Sequence, residues 1–308
     1  MPLRQQLSGI FVFRPWFSNN GAICALILQA MRQYLQCGRF GFPLDKKALV
    51  MGILNVTPDS FSDGGHYQTL EFAVSRVEEM IAEGADIIDI GGESSRPGAA
   101  ALPLEQEMGR VLPAIYAMRD LGRPLSVDTY KPEVMREAII AGVDMINDIN
   151  GFRAPGALEA VRDSDCALCV MHMQGTPQGM QNDPAYTDVV AEVIAFLRHR
   201  VEAMTAIGIE RERICVDPGF GFGKTVDHNY ALMRNIGRIQ QELGLPVMAG
   251  VSRKSMIGAV TGKPVERRLA GNIGGALAAI AQGARIVRVH DVVETVDAVK
   301  VWQAATLD

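Results

Sequence analysis

Asp217-Pro-Gly-Phe-Gly-Phe-Gly-Lys224 places a carboxylate at the end of an apolar run and follows it at once with a glycine-rich loop. The run before it, Arg213-Ile-Cys-Val-Asp217, reads as a short buried strand whose last residue is charged. A charge in that position suits a β/α barrel, where the carboxyl ends of the strands form the floor of the active site. A solvated loop acid is the simpler reading of Asp217, and it gains or loses weight with what the neighbouring strands carry. A phosphate-binding loop of the nucleotide-hydrolase kind is excluded by spacing. Gly219 and Gly223 enclose three residues, where that loop needs four.

Working outward, the same unit recurs: a short β-branched apolar run with a polar residue at its end, a loop, then a stretch of helical period. The runs are Ala48–Val56, Ala85–Gly91, Leu125–Thr129, Met145–Ile149, Ala167–Met171, Arg213–Asp217, Pro246–Val251 and Arg285–Val289. Helical stretches are expected at Leu70–Glu83, Leu104–Leu121, Pro132–Ala141, Pro155–Asp163, Tyr186–Ile207, Val226–Leu243, Val265–Gln282 and Val292–Gln303. Strands and helices that alternate in this number, over about 260 residues, predict an α/β chain folded as a (β/α)₈ TIM barrel. An open doubly wound sheet would more often carry Gly-x-Gly-x-x-Gly after its first strand, and Asn55-Val-Thr-Pro-Asp59 is unlike that.

The 308 residues, 48% of them hydrophobic, can bury one large core. The net charge of −5 speaks against nucleic acid or an anionic membrane as main partner, since both ask for a basic face. A small-molecule substrate fits better. Cysteines at 24, 37, 166, 169 and 215 are odd in number and scattered, as expected of reduced thiols in a cytoplasm. Cys166-Ala-Leu-Cys169 is read as structural, because residues three apart on a strand face opposite ways and cannot share a metal. Residues 1–44 differ from the rest, with four arginines and no acid. Residues 1–36 are therefore set apart as an N-terminal extension to a barrel over 37–308. A presequence of mitochondrial type and a start at Met31 are both open readings of it, whereas a secretory signal fits poorly. Cys37-Gly-Arg-Phe-Gly-Phe-Pro43 is expected as a strand or hairpin closing the bottom of the barrel.

The polar residues at the strand ends carry the functional signal: Asn55, Asp89, Asp128, Asn147 with Asp148, His172, Asp217, Ser252 with Arg253 and Lys254, and Arg288 with His290. In a barrel they converge on one rim. Asp128, Asn147 and Asp217 suit a neutral heterocycle with several N–H donors, because a buried carboxylate accepts a paired donor edge. Ser252-Arg253-Lys254-Ser255 joins a strand to a helix start and, with Arg288 and His290 two apart on one strand face, suits a phosphate or pyrophosphate. A solvated strand end is the simpler reading of Arg288-Val-His290. Two loops, Val56–Gly65 and Glu93–Gly98, have the small polar and breaker residues of mobile lids. An amide oxygen facing a pyrophosphate can hold Mg²⁺, which needs few protein ligands.

Taken together, Met51-Gly-Ile-Leu-Asn-Val-Thr-Pro-Asp-Ser-Phe-Ser-Asp-Gly-Gly65, Gly91-Gly-Glu-Ser-Ser-Arg-Pro-Gly98, Ser126-Val-Asp-Thr129, Ile146-Asn-Asp148, Asp217–Lys224, Ser252-Arg-Lys-Ser255 and Arg288-Val-His290 resemble, in order, the motifs of the bacterial dihydropteroate synthase family. The resemblance covers about residues 37–308 and departs at Ser95, where the family usually has threonine. It implies a (β/α)₈ barrel, usually a homodimer, that condenses 6-hydroxymethyl-7,8-dihydropterin pyrophosphate with 4-aminobenzoate and uses Mg²⁺. By motif it implies catalytic roles for Lys254, Asp217, Asn55 and Arg288. Asp128, Asn147, Asp217 and Lys254 would bind the pterin; Asn55, Arg96, Arg288 and His290 would hold the pyrophosphate, with Asn55 on the metal. Phe61, Ser95, Pro97, Phe222 and Ser252 would shape the aminobenzoate pocket. A pterin-binding methyltransferase domain would share Asp128, Asn147 and Asp217 but has no use for the pyrophosphate residues. A barrel that binds pterin without catalysis would lack a rim charge.

Overall fold

The computed structural model describes residues 33–306 except 46, 57–65 and 97, and only the backbone of 66–69. Eight strands form one sheet: β3 (Leu49–Asn55), β4 (Ile87–Gly91), β5 (Leu125–Asp128), β6 (Met145–Asp148), β7 (Ala167–Met171), β8 (Ile214–Asp217), β9 (Met248–Ala249) and β10 (Ile286–Val289). The order β8-β7-β6-β5-β4-β3-β10-β9 is parallel throughout, and a parallel bridge from Val216 to Val247 joins its two ends into a closed barrel. Every expected apolar run is a strand of it.

Alternation along each strand decides what reaches the rim, because successive side chains face opposite ways. Leu49, Met51, Ile87, Met145, Cys169, Cys215, Met248 and Ile286 fill the barrel interior as one apolar cluster. Their neighbours Ile88, Ile90, Val127, Ile146, Val170 and Val216 pack outward with the helices in another. Two residues above Ile87, Met145, Cys215 and Ile286, on the same inward face, stand Asp89, Asn147, Asp217 and Arg288. Cys166 precedes β7 and bonds Val143 O (3.0 Å), while Cys169 lies inside the barrel, so the two do not form a pair. Burial pushes the Cys166 thiol up to about 11 and Cys169 also above its ordinary value, which keeps both protonated and inert.

An antiparallel hairpin, β1 (Tyr34–Cys37) and β2 (Phe40–Pro43), closes the lower end. Its Leu35 and Cys37 join the interior cluster, and Arg39 grips Asp144 at the foot of β6 (Nε to Oδ1 3.0 Å). The boundary expected at residue 37 falls inside this hairpin, which begins at Tyr34. The readings of residues 1–32, the start at Met31 among them, lie outside the described residues.

The helices are α1 (His66–Glu83), α2 (Leu104–Met118), α3 (Pro132–Ala141), α4 (Ala157–Val161), α5 (Val189–Ala206), α6 (Val226–Arg234), α7 (Ile236–Leu243), α8 (Ser255–Thr261), α9 (Leu269–Ala281) and α10 (Val292–Thr306). Two differ from expectation. The single helix expected over Val226–Leu243 breaks at Asn235, whose side chain donates to Ala231 O (2.8 Å) and so competes with the backbone ladder. The helix expected from Val265 begins as a 3₁₀ turn, and the helix start expected at Ser255 opens a short separate helix, α8, whose extent was not expected.

Candidate active site

Asp217 ends β8 almost fully buried. Its Oδ1 accepts from Gly219 N (2.7 Å), so the loop's first glycine fixes the carboxylate from below. Burial raises the Asp217 pKa, while Lys254, the Gly219 N–H, Lys224 and Arg288 all favour its charge. Lys254 reaches over from the end of β9, bonds Phe220 O, and sits 4.6 Å from the centre of the Phe222 ring. Burial brings Lys254 down to about 8, with Asp217 opposing that shift. A point just above Gly250 lies 3.8 Å from Asp217 Oδ2, Lys254 Nζ and Arg288 Cβ alike, so the bare glycine leaves open the space on which these side chains converge.

Asp128 and Asn147 are register partners across β5 and β6, and Asp89 stands on the adjacent β4. Arg288 crosses from β10 to join them: its Nε donates to Asp89 Oδ2 (2.5 Å) and its terminal nitrogen to Asp128 Oδ2 (2.9 Å). Burial works against the Arg288 charge, but Asp89 and Asp128 more than offset it, and its pKa is raised. Asp128 is pushed up to about 7, chiefly by burial and against the pull of Arg288. Asn147 Nδ2 also donates to Asp89 Oδ2 (3.3 Å). Asp89 Oδ1, Ser126 Oγ and Asn147 Oδ1 are buried without a partner, and buried polar atoms of that kind ask for a ligand or water. Arg288 thus stands beside His290 and is ion-paired to Asp89 and Asp128.

His290 pairs instead with Ser252, Nδ1 to Oγ at 3.1 Å. Burial, with Arg253 and Arg288 beside it, holds His290 down to about 3, so it meets an anion as a neutral hydrogen-bonding group. Ser252, expected against aminobenzoate, thus also borders His290 of the expected anion set. Arg253 turns outward in a left-handed conformation (φ 61°), bonding Asp291 Oδ1 (2.5 Å). Arg96 is exposed, yet near enough to His290 to disfavour its charge. Asn55 ends β3 half-buried, its Oδ1 3.5 Å from where a Cβ on Gly91 would lie. No group of three His, Cys, Asp or Glu able to hold a metal occurs among the described residues. A lone amide oxygen at an anion subsite fits Mg²⁺ carried mainly by phosphate oxygens and water, and does not fit zinc.

Phe222 is buried against Ile149, Met171, Met173 and Met180. Ser95 is half-buried on the second loop and borders a small cavity shared with Glu93, Asp128, Tyr130 and Pro177. Phe61 and Pro97 lie outside the described residues. Three residues gained no role from sequence: Asp89, which orients Arg288 and Asn147, and the buried pair His172 and Lys224. The inward position of Asp89 was legible from the alternation, but its partners were not, since 199 residues separate it from Arg288.

A family model described as pterin binding enzyme matches residues 51–290. The chain belongs to this family. It is 51% identical over 256 residues to the dihydropteroate synthase of Haemophilus influenzae, covering 83% of this chain and 93% of that protein. Among solved structures of pterin-binding enzymes, dihydropteroate synthase from Burkholderia cenocepacia complexed with 7,8-dihydropteroate shares 53% identity at a TM-score of 0.81, covering 89% of this chain and 96% of the other. The Xanthomonas albilineans enzyme with 4-aminobenzoic acid shares 49% at 0.84, covering 90% and 99%.

Proposed function

We infer that this chain is a transferase of folate biosynthesis, joining 6-hydroxymethyl-7,8-dihydropterin pyrophosphate to 4-aminobenzoate to give 7,8-dihydropteroate and pyrophosphate. One observation carries the reading: the acceptors Asp217, Asn147 and Asp128 and the cations Lys254 and Arg288 converge at the carboxyl ends of the barrel strands, in a barrel whose relatives are dihydropteroate synthases. Asp217 takes the paired N–H edge of the pterin, Asn147 and Asp128 bind its remaining polar atoms, and Lys254 lies beside the ring. Asn55, Arg96, Arg288 and His290 hold the pyrophosphate. Asn55 would be the protein ligand of a bound Mg²⁺, which would supply charge neutralisation to the pyrophosphate. Phe61, Ser95, Pro97, Phe222 and Ser252 shape the aminobenzoate pocket.

The C–O bond between the pterin methylene and the pyrophosphate breaks, and the electron pair leaves with the pyrophosphate. The aniline nitrogen then forms the C–N bond and gives up one proton to solvent. Loss of a stabilised anion and attack by an uncharged amine need no strong base, which suits a rim that offers cations and positioning. His290, held neutral, donates to the leaving group without adding charge.

Among the described residues no helix is long and apolar enough to cross a membrane. A cytoplasmic homodimer with no nucleic-acid or membrane partner is the setting we propose. Pyrophosphate release from the pterin substrate, measured with and without 4-aminobenzoate, tests the reading. Release that requires aminobenzoate and yields dihydropteroate supports it; no release sinks it.

A further inference from the structure

Lys224 closes the glycine loop that opens at Asp217, and it points back into the protein. Its ammonium has three donors and finds three acceptors: His172 Nδ1 (2.9 Å), Phe222 O (2.9 Å) and His172 O (3.4 Å). The imidazole is able to accept because burial, with Lys224 and Arg153 nearby, keeps it neutral. His172 is itself fixed, its backbone N–H donating to Asp217 O (3.0 Å) and its ring packed edge-on to Phe196 (centroids 4.9 Å). The path from Lys224 through His172 to Asp217 is thus made of direct bonds. A buried lysine with a full set of protein acceptors has no donor left for substrate, so it cannot act as Lys254 does.

We propose that Lys224 is a positioning residue for the pterin site, a second cation behind Asp217 that keeps this carboxylate charged and aimed into the cavity. The proposal rests on the assignment of Asp217 to the pterin. Asp217 lies between two lysines. Lys254 faces it across the space above Gly250, whereas Lys224 is buried and spends its donors on His172 and Phe222. Glycine geometry makes this arrangement tight. A Cβ on Gly219 would lie 1.8 Å from His172 O and 3.3 Å from Lys224 Nζ. The charged and titratable groups around the pair are Asp217, Lys254 and Arg288 on the cavity side, Arg153 near His172, and Tyr186, whose hydroxyl donates to Gly223 O (2.8 Å). Of these only Asp217 is an acid, so removing the Lys224 charge falls chiefly on it. Burial brings Lys224 down to about 7, so its support for Asp217 is strongest below neutral pH.

The test uses the full chain and calorimetric titration with 6-hydroxymethyl-7,8-dihydropterin pyrophosphate between pH 6 and 8.5. Wild type, Lys224→Met and Lys224→Gln are compared, with Asp217→Asn alongside. Lys224→Gln still offers a donor to Phe222 O without charge, which safeguards the fold if Lys224→Met unfolds. The expected result is an affinity ratio to wild type that worsens as pH falls, about tenfold at pH 6 and about threefold at pH 8.5, because Asp217 protonates more readily once a cation is lost. An unchanged affinity, or a loss of the same size at every pH, overturns the proposal; the second result would leave Lys224 as a structural pin. Unchanged affinity in Asp217→Asn would instead overturn the assignment beneath it.

Discussion

Two loops border the cavity, and they are built on opposite principles. From Asp217 to Lys224 nearly every residue is pinned: Asp217 O to His172 N (3.0 Å), Gly221 N to Asn229 Oδ1 (2.7 Å), Gly221 O to Gln181 Nε2 (2.5 Å), Phe222 O to Lys224 Nζ (2.9 Å) and Gly223 O to Tyr186 OH (2.8 Å). The loop from Glu93 to Gly98 is anchored at its root, where Glu93 meets Tyr130 OH (2.8 Å) and Lys131, itself also held by Glu107. Beyond Glu93 its described backbone bonds are Gly98 N to Pro177 O (3.1 Å) and Ala99 N to Arg96 O (3.0 Å). The difference separates two tasks. A floor that reads the donor pattern of a heterocycle must be rigid, because a displaced carboxylate discriminates nothing. A wall that must admit two substrates in turn has to open, and is drawn from the less tightly bonded part of the fold.

Breaking the rigid loop should produce the largest effect. Gly219 has φ 72°, and an added Cβ would meet the carbonyl of His172 at 1.8 Å. Gly219→Ala therefore combines left-handed strain of about 1–2 kcal/mol with a backbone clash of about 1–3 kcal/mol. A loss of about 2–5 kcal/mol in urea unfolding is expected, and wild-type stability would show that the loop yields. Next in size, Asp217→Asn should weaken pterin pyrophosphate binding by about 2 kcal/mol, since an amide offers a single acceptor to a pair of donors and leaves a mismatch. Calorimetry decides it, and an unchanged dissociation constant would place the pterin elsewhere.

Much of this was legible beforehand because it is local. The eight strands follow from apolar runs, and inward placement of Asp89, Asn147, Asp217 and Arg288 follows from strict alternation above residues that fill the barrel. What sequence could not supply are pairings across the closed barrel. Arg288 was assigned to the anion from its motif, yet the side chain is long enough to span to Asp89 and Asp128, which only barrel closure brings within reach. Helix α8 is legible only at its start, Ser255, for a different reason. Ser-Met-Ile-Gly-Ala-Val-Thr is rich in β-branched residues and interrupted by Gly258, so propensity argues against it. The glycine is there for Arg268, whose guanidinium lies 2.2 Å from where its Cβ would be and donates to Arg253 O (2.9 Å) beneath the helix start. Tertiary packing overrides propensity at that point.

Rigidity in the pinned loop should also appear as a pH signature. His172 is held down to about 2 when folded, against about 6.5 in an unfolded chain. Above pH 6.5 neither state binds the proton and stability is unaffected. Below it the unfolded state binds a proton that the folded state refuses, so stability falls as pH falls. His172→Gln keeps an acceptor in place and removes that titration. The stability difference between wild type and this variant should therefore drift against wild type by about 1.4 kcal/mol per pH unit between pH 6 and 5. Asp128 and Asp148, both raised to about 7 chiefly by burial, titrate in each chain and cancel in the comparison. Parallel stability curves would mean His172 is protonated in the folded protein.

The smallest effect belongs to the open loop and probes the comparison from its other side. Aminobenzoate should bind appreciably only after pyrophosphate or the pterin pyrophosphate is in place. Ser95, which we propose for its pocket, sits on a loop that, past Glu93, has few described bonds and little apolar surface to hold it closed. Arg96 next to it is exposed, and at the rim it would find a neutral His290 and the Arg288 cation, which repels rather than attracts a further cation in the absence of an anion. A bound pyrophosphate reverses that sign. It gives the Arg96 guanidinium a bidentate acceptor, and closure carries Ser95 toward the ring site. A ligand whose pocket is assembled only part of the time binds more weakly by that fraction, so the anion should raise apparent aminobenzoate affinity severalfold, about 1 kcal/mol. Labelled aminobenzoate, titrated with and without pyrophosphate and Mg²⁺, should show that gain in wild type and lose most of it in Arg96→Ala. Equal affinity under all conditions would mean that the second loop is as preformed as the first, and the contrast between them would fall.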